Sequence, residues 1–346
     1  MKKRNPKKSS ARKENSKTSS FDKDNMKKVL EQFPMQCREA VRLGTNIKPK
    51  GKIENIFICG MGGSAISGNL MQNAFPDIKI PVYSARDYIL PSYAGKNSLV
   101  FISSYSGNTE ETVSGFHEAL KRKSKIVVIT SGGELEKLAK KNKVDFIKIP
   151  SGIQPRLATS YLFFPMLNVL NNAKVIKFSG DGSEFKNLIN YIEKVDFEAM
   201  GMKIAKELYG KALIIYASPR YSAAAMKWKT DINENAKIHA FYNIYPEFNH
   251  NEINGYVNKN GKFHVVVLRD ENEHPRIAKR MDITMGLIKK KGIGVTEMGI
   301  EQNPMLTKVI SAEYLGVWVG YSLALLYKTD PTPVKIIEDL KKALKK

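Results

Sequence analysis

Hydroxyl side chains are concentrated in one short segment, residues 103–112 (SSYSGNTEET), where an apolar run meets a helical pattern. Ser104, Ser106 and Thr109 surround Gly107, and four hydroxyls fall within the nine residues 104–112. Hydroxyl groups and backbone N–H groups at a helix N-terminus can hold a phosphoryl group without lysine or arginine. A plain helix cap of the Ser-x-x-Glu type is the alternative, but a cap needs fewer hydroxyls. The segment therefore predicts a phosphate site.

A glycine-rich turn, residues 60–65 (GMGGSA), follows the apolar run IENIFIC. It places backbone N–H groups at a predicted helix N-terminus, where an anion is stabilised, and its glycines allow a ligand to approach closely. The turn also matches the dinucleotide pattern G-x-G-x-x-G/A loosely. However, the acid that this pattern expects after the next strand is represented by Asp87, which falls inside a predicted turn. The motif alone leaves a nucleotide, another ligand or plain packing open.

The elements that must position these residues form two blocks of alternating apolar runs and helical patterns. Apolar runs occupy residues 55–59, 80–83, 99–103, 125–130 and 145–149, then 212–217, 239–242, 264–268 and 294–298. Helical patterns start near residues 64, 109, 133 and 156, then cover 197–209, 223–237, 275–289, 312–326 and 332–344. Strands that alternate with helices indicate βαβ units. The predicted fold class is α/β, with two tandem doubly wound domains, each a mainly parallel sheet flanked by helices.

Composition divides the chain further. Residues 1–20 carry eight basic side chains and one acid with almost nothing apolar, so they are predicted to be a disordered tail. Residues 21–44 form an N-terminal helical segment, either one helix kinked at Pro34 or two short helices. Two domains follow at 45–175 and 185–346, with a polar linker at 176–184.

The charge balance limits the classes of partner. The formal net charge is +22, of which residues 1–20 supply +7. This tail is either a solvated end or a nonspecific contact for anionic partners. The body has no aromatic–basic platform of the RRM type and no helix-turn-helix, so nucleic-acid binding is a rival only through the tail.

Other classes of site are also disfavoured. Two cysteines, Cys37 and Cys59, exclude a disulfide framework, and the five histidines show no metal-binding spacing. No apolar run reaches the roughly 18 residues that span a bilayer. The basic N-terminus is not followed by the apolar segment of a secretory signal. We therefore expect a cytoplasmic protein without a metal or cofactor and without membrane contact.

Four motifs carry a resemblance to a known family. The turn G-M-G-G-S followed by S-Y-S-G-N-T-E-E-T resembles the SIS domain, a fold that binds sugar phosphates. N-E-N-A-K at residues 233–237 and P-E-F-N-H-N-E-I at 246–253 resemble motifs of the bifunctional phosphoglucose/phosphomannose isomerases of archaea and some bacteria. The resemblance covers roughly residues 30–346. It implies two SIS-type domains, the first binding the phosphate and the second carrying the catalytic base, the histidine and a C-terminal lysine helix.

The resemblance implies that Glu234 moves a proton between C2 and C1, and that His250 assists ring opening from a neighbouring subunit of a homodimer. Aldose–ketose isomerisation needs both functions, and a carboxylate at a helix end and a loop histidine suit them. The alternative for His250 is a loop histidine that bonds to local backbone groups. By the same resemblance, Ser104, Ser106 and Thr109 would hold the phosphate, with Gly62, Gly63 and Ser64 lining the sugar.

Three further residues follow from the resemblance. Arg156 matches the family's P-R motif and would stabilise the enediolate oxygen, unless it is a buried structural arginine. The C-terminal lysine is Lys341 or its neighbour Lys342; a solvated helix face explains most lysines in this region. Thr332 is the candidate for acceptance of the mannose epimer.

One position departs from the family pattern. Family members often carry arginine where Lys227 precedes Trp228. Lysine keeps the positive charge but lacks the planar fork, so the bidentate contact typical of arginine is not expected there.

The resemblance as a whole implies a metal-independent isomerase that interconverts glucose 6-phosphate and fructose 6-phosphate, and also mannose 6-phosphate, through a cis-enediol. Such an enzyme belongs to glycolysis and gluconeogenesis. One alternative is a non-catalytic sensor of sugar phosphates, which the loss of Glu234 or His250 would have favoured. Another is an amino-sugar-phosphate isomerase, against which the motif P-E-F-N-H-N-E argues.

Overall fold

The computed structural model describes residues 20–178, 182–258, 260–299 and 303–344. The predicted tail therefore lies outside the described residues, apart from its last position. After it come two short helices, α1 (Met26–Glu31) and α2 (Phe33–Ala40), rather than one kinked helix. Pro34 lies in the first turn of α2, where a missing N–H costs nothing. The exact division into domains remains a prediction.

The N-terminal sheet has five parallel strands in the order β2-β1-β3-β4-β5. Its strands are β1 (Asn55–Cys59), β2 (Val82–Ala85), β3 (Ser98–Ser103), β4 (Lys125–Thr130) and β5 (Asp145–Lys148). Its helices are α3 (Gly63–Ala74), α4 (Glu110–Lys121), α5 (Gly133–Asn142) and α6 (Thr159–Asn172). The strand order reverses between β1 and β3, and open α/β sheets bind ligands at such a point, beyond the carboxyl ends of the strands.

The C-terminal sheet has four parallel strands in the order β7-β6-β8-β9. They are β6 (Ala212–Ala217), β7 (Ala240–Ile244), β8 (Phe263–Leu268) and β9 (Gly294–Met298). The helices of this half are α7 (Ser183–Lys194), α8 (Phe197–Leu208), α9 (Ser222–Asp231), α10 (Pro275–Lys290), α11 (Met305–Leu326) and α12 (Lys335–Ala343). Two parallel sheets flanked by helices confirm the predicted fold class.

The two faces of the C-terminal sheet pack against different elements. One face, with Leu213 and Ile215, joins α8, α9 and α11 in a core that continues into the N-terminal sheet. The opposite face, with Ile214 and Tyr216, forms a separate cluster with the segment after β7 and with α10. Side chains alternate along a strand, so the central strand β6 contributes to both cores.

Helix α11 begins at Met305, seven residues before the predicted start at 312. Polar residues interrupt the apolar sequence pattern there although they are buried: Thr307, Lys308 and Ser311 are each at most 2% exposed. Lys308 is neutralised by Asp270 at 2.7 Å and Glu271 at 2.9 Å. By length and composition α11 could cross a membrane, but 89% of its apolar window is buried. It is a core helix that packs on α8 and α9.

Other boundaries differ from the prediction by a few residues. Strand β2 begins at Val82 instead of residue 80, because Pro81 has no N–H to donate, and β7 extends to Ile244 instead of 242. Helix α9 ends at Asp231 and continues as one turn of π-helix, Ile232–Ala236. Helices α6 and α12 each start three residues later than predicted, after the turns at 155–157 and 330–332.

Candidate active site

The predicted phosphate residues lie together at the carboxyl end of β3. Ser104 Oγ lies 2.8 Å from Thr109 Oγ1 and accepts a hydrogen bond from the Gly107 backbone N–H at 3.2 Å. Thr109 is the N-cap of α4, whose N-terminal dipole favours an anion. Gly107 has φ +71°, and a Cβ there would lie 1.8 Å from the Gly132 carbonyl oxygen. Glycine is therefore required for this hydroxyl loop, which we define as residues 104–109.

The glycine-rich turn lies beside the hydroxyl loop, across the reversal point between β1 and β3. A Cβ on Gly60 would lie 2.7 Å from the Ser103 carbonyl oxygen, and one on Gly63 would lie 3.2 Å from the Arg156 Cα. Gly62 has φ +51° and open space around it, while Ser64 is buried in the first turn of α3. The turn therefore connects the hydroxyl loop to Arg156.

Arg156 is 4% exposed and joins three parts of the chain. Its Nε donates to Asn235 Oδ1 at 2.7 Å, and its Nη2 donates to the carbonyl oxygens of Pro331 and Thr332 at 2.8 and 2.9 Å. Burial lowers the pKa of Arg156, and the charge of Glu234 opposes this shift. Its burial fits a structural arginine. However, Nη1 carries a second N–H that no described residue accepts, and this group can face a substrate oxygen.

Glu234 lies in the π-helical turn at the end of α9, with its side chain 28% exposed. Its Oε2 is 3.5 Å from Arg156 Nη1. A π-helical turn shifts the residues that follow it around the helix axis, and such turns are frequent at functional sites. A partly exposed carboxylate beside a buried cation is a suitable general base.

Lys237 is a cation that the sequence analysis did not single out. It has φ +58°, and its Nζ donates to the carbonyl oxygen of Glu234 and, at 3.1 Å, to that of Pro331. Partial burial lowers the pKa of Lys237 to about 8, and the charge of Arg156 adds to this effect. The only sequence signal was its position as the last residue of N-E-N-A-K.

Of the candidate site residues near the C-terminus, one is buried and two are exposed. Thr332 is 6% exposed, and its carbonyl oxygen is held by Arg156. Lys341 and Lys342 lie on the exposed helix α12, which starts three residues later and buries none of its side chains in the described chain. Arg156 therefore holds the segment leading to α12, but no described contact joins Lys341 to the site.

His250 is exposed in the segment between β7 and β8, and its neighbours hold this segment in place. Asn249 Nδ2 donates to Thr284 Oγ1 at 3.0 Å. Glu252 accepts from the Tyr216 hydroxyl at 2.8 Å and from Asn243 Nδ2 at 2.6 Å. The conspicuous polar motif around His250 therefore has a structural role that presents the imidazole to solvent.

The C-terminal sheet has a loop equivalent to the hydroxyl loop but of opposite character. Residues 269–274 connect β8 to α10, just as residues 104–109 connect β3 to α4, and each loop has six residues. We call residues 269–274 the acidic loop. Its three carboxylates pair with Lys308 and Arg220; they are those of Asp270, Glu271 and Glu273. The strand order of the C-terminal sheet reverses between β6 and β8, and at this point the charged side chains form ion pairs within the protein.

Within the described ranges, no group of three or more His, Cys, Asp or Glu side chains is placed to hold a metal ion. The chemistry that the site offers is acid–base chemistry on an anionic ligand. The hydroxyl loop would anchor the anion, and Glu234, Arg156 and Lys237 lie on the other side of the glycine-rich turn.

Comparisons with known proteins follow the same division of the chain. A SIS domain model matches residues 52–163, and a model of the bacterial phospho-glucose isomerase C-terminal SIS domain matches residues 197–344. The C-terminal domain of glucosamine-fructose-6-phosphate aminotransferase from Francisella tularensis superposes with a TM-score of 0.70 at 15% identity, covering 90% of this chain and 99% of that one. At this identity the likeness shows the fold alone.

Two curated relatives match nearly end to end. The bifunctional phosphoglucose/phosphomannose isomerase of Caldicellulosiruptor bescii is 41% identical over 327 residues, covering 90% of this chain and 96% of the relative. The enzyme of the same name from Aquifex aeolicus is 36% identical over 297 residues, covering 85% and 91%.

Proposed function

Because the chain belongs to the family of bifunctional phosphoglucose/phosphomannose isomerases, we propose that it interconverts glucose 6-phosphate, mannose 6-phosphate and fructose 6-phosphate through a cis-enediol. It is an aldose–ketose isomerase built on SIS domains. The observation that carries the mechanism is the pairing of a partly exposed Glu234 with buried Arg156, across the glycine-rich turn from the hydroxyl loop. We also propose a cytoplasmic location for this activity; α11, which is apolar enough to cross a membrane, is instead buried in the core.

The phosphate is anchored by the hydroxyl loop. Ser104 and Thr109 offer hydroxyls that are already in contact, Ser106 is exposed beside them, and the α4 dipole adds a favourable field. From this anchor the sugar extends along Gly62, Gly63 and Ser64 towards Arg156. An anchor remote from the reacting carbons fixes C1 and C2 against the base, which lowers the entropy lost in the transition state.

Glu234 performs the proton transfer on the open-chain sugar. Its carboxylate takes the proton from C2 of the aldose and returns it to C1, while a hydroxyl proton passes from O2 to O1 to give the ketose. The uncommitted N–H of Arg156 Nη1 stabilises the negative charge that develops on the enediolate oxygen. Glucose and mannose 6-phosphates differ at C2, and both lose this difference in the planar enediol.

Ring opening requires a second group, and we assign it to His250 of a partner subunit. Within one chain the C-terminal sheet separates the two residues. Glu234 lies between Ile232 and Ala236, which pack on one face, whereas His250 lies between Phe248 and Tyr256, which pack on the other. Another copy can present its exposed His250 to Glu234, so the site is complete only in a dimer.

A lysine near the ring oxygen completes the proposal. Lys341 is the residue that the family resemblance implies, with Lys342 beside it on α12. Lys237 is a further candidate because its ammonium group already contacts the Glu234 backbone.

The function is tested by measuring fructose 6-phosphate formation from glucose 6-phosphate and from mannose 6-phosphate, with and without a chelator. We expect turnover of both sugars, insensitive to the chelator, because proton transfer by Glu234 requires no metal. Lys341→Met, Lys342→Met and Lys237→Met in the same assay identify the lysine at the ring oxygen. A folded protein that binds hexose phosphate without turnover would overturn the isomerase and favour a sensor.

Removing one phosphate-binding hydroxyl should weaken substrate binding. In Thr109→Val, the phosphate loses a charge-assisted hydrogen bond, so we expect KM for glucose 6-phosphate to rise about tenfold or more. Inhibition by inorganic phosphate should weaken by a similar factor. Thr112→Val is the matched control, because the Thr112 hydroxyl is buried one turn further along α4 and makes no hydrogen bond to the described residues. Equal KM values for both variants would contradict the assigned anchor.

A further inference from the structure

We propose that Lys227, Asp231 and Glu313 form a buried positioning unit that holds Arg156 and Glu234 in the geometry needed for proton transfer. This inference rests on the proposed isomerase function. None of the three side chains touches the substrate in this proposal, so they act through the residues that do.

Lys227 makes three kinds of contact with its ammonium group. Its Nζ lies 2.6 Å from both carboxylate oxygens of Asp231 and 3.3 Å from Glu313 Oε1. It also donates to the backbone carbonyl oxygen of Arg156 at 3.0 Å. The side chains of Lys227, Asp231 and Glu313 are 1%, 1% and 2% exposed. The three charged groups are therefore almost completely shielded from solvent.

This unit connects the segments of the chain that carry Arg156 and Glu234. Lys227 and Asp231 lie on α9, and Asp231 immediately precedes the π-helical turn that contains Glu234. Glu313 comes from α11 and also accepts from Thr159 Oγ1 on α6 at 3.0 Å. The Arg156 backbone follows the last strand of the N-terminal sheet. A shift of Lys227 would move Arg156 relative to Glu234 directly.

Stability alone gives a weak reason for such a unit. Burying charges carries a large desolvation penalty, and uncharged side chains of similar volume often maintain stability equally well. A charged cluster in contact with the Arg156 backbone can fix the positions of the catalytic groups. This matters because small displacements of catalytic groups reduce the rate by large factors. The contact between Lys227 and the Arg156 carbonyl oxygen therefore points to positioning.

The unit also carries an uneven charge, with one ammonium group and two carboxyl groups. Burial raises the pKa of Asp231 to about 7; Lys227 opposes this rise, while Glu313 and Glu234 add to it. Arg156 faces the same cluster, and Cys37 faces Glu313. Below about pH 7 Asp231 gains a proton and its attraction to Lys227 weakens. Activity should consequently rise as pH increases through this value.

The test separates positioning from stability by replacing the whole unit. Lys227→Met alone leaves two buried carboxyl groups without their cation, and Tm should fall by about 5–10 °C. The triple variant Lys227→Met/Asp231→Asn/Glu313→Gln removes all charges together, so Tm should return to within about 3 °C of the wild type. Its kcat should nevertheless stay about 10- to 100-fold low, with a smaller change in KM. Lys227→Arg keeps the positive charge, so its kcat should lie closer to the wild-type value than the kcat of Lys227→Met does.

The chain offers a matched control in a second buried lysine, which lies on α11. Lys308 is also buried against two carboxylates, Asp270 and Glu271, but it lies at the acidic loop. The triple variant Lys308→Met/Asp270→Asn/Glu271→Gln should leave kcat unchanged when it is folded.

A single isosteric variant keeps the test informative if the triple variant does not fold. Asp231→Asn should have a lowered kcat that no longer rises between pH 6 and 8. The proposal is overturned if either the triple variant or Asp231→Asn is folded and keeps the wild-type kcat and pH profile. Absence of turnover in the wild type is a distinct result, because it overturns the proposed function itself and this unit with it.

Discussion

Glu234→Gln is expected to lower kcat for both sugar phosphates by about 10²- to 10⁴-fold, the usual contribution of a general base. Glutamine has nearly the same shape and can still accept the 3.5 Å contact from Arg156 Nη1. It cannot take a proton from C2. The measurement is kcat in both directions, together with the exchange of the C2 hydrogen of glucose 6-phosphate into deuterated water, which should disappear.

Glu54→Gln serves as the control for this result. Glu54 is an exposed carboxylate paired with Lys52 at 2.8 Å, away from the site. Its replacement should leave kcat and hydrogen exchange unchanged. If Glu234→Gln is folded, binds the substrate and keeps wild-type hydrogen exchange, another group is the base.

Mixing two inactive variants should restore activity if the partner subunit supplies His250. Glu234→Gln and His250→Ala are each expected to be nearly inactive. After subunit exchange about half of the dimers are mixed, and one of the sites in each mixed dimer then combines an intact Glu234 with an intact His250. We therefore expect about a quarter of wild-type activity from an equal mixture. The measurement is the turnover of glucose 6-phosphate before and after the chains exchange.

The control for this mixture is Glu234→Gln combined with the double variant Glu234→Gln/His250→Ala. No dimer of these chains has an intact base, so no activity should appear. Should the first mixture stay inactive after proven subunit exchange, His250 would act within its own chain or not at all. The face of the C-terminal sheet on which it lies argues against the first of these outcomes.

Strand positions in this protein could be predicted from sequence because local patterns determine them. The runs at 55–59, 125–130, 212–217 and 294–298 coincide with β1, β4, β6 and β9, since each is a short apolar stretch between turns. The start of α11 was not predicted because Lys308 interrupts the apolar pattern. Its charge is compensated by Asp270, 38 residues away, and a single sequence does not reveal that partner.

The candidate site shows the same limit. The grouping of Ser104, Ser106 and Thr109 at the start of a helix was predicted, because these residues are neighbours in the chain. The partners of the Arg156 side chain lie 78 to 176 residues further on, so its burial and its hydrogen bonds to the segment before α12 could not be deduced. Lys237 was missed for the same reason, since its contact with Pro331 spans 94 residues. The roles assigned to these side chains remain predictions for the experiments above.

The acidic loop has a consequence for the number of substrate molecules that the proposed enzyme would bind. It occupies the same place on its sheet as the hydroxyl loop, but it carries carboxylates paired with Lys308 and Arg220 where the hydroxyl loop carries the hydroxyls proposed to bind the phosphate. Under the proposed function, duplication of the fold therefore does not duplicate the binding site. The proposal implies a single hexose phosphate for each chain. The proposed dimer would then have as many active sites as chains, rather than twice as many.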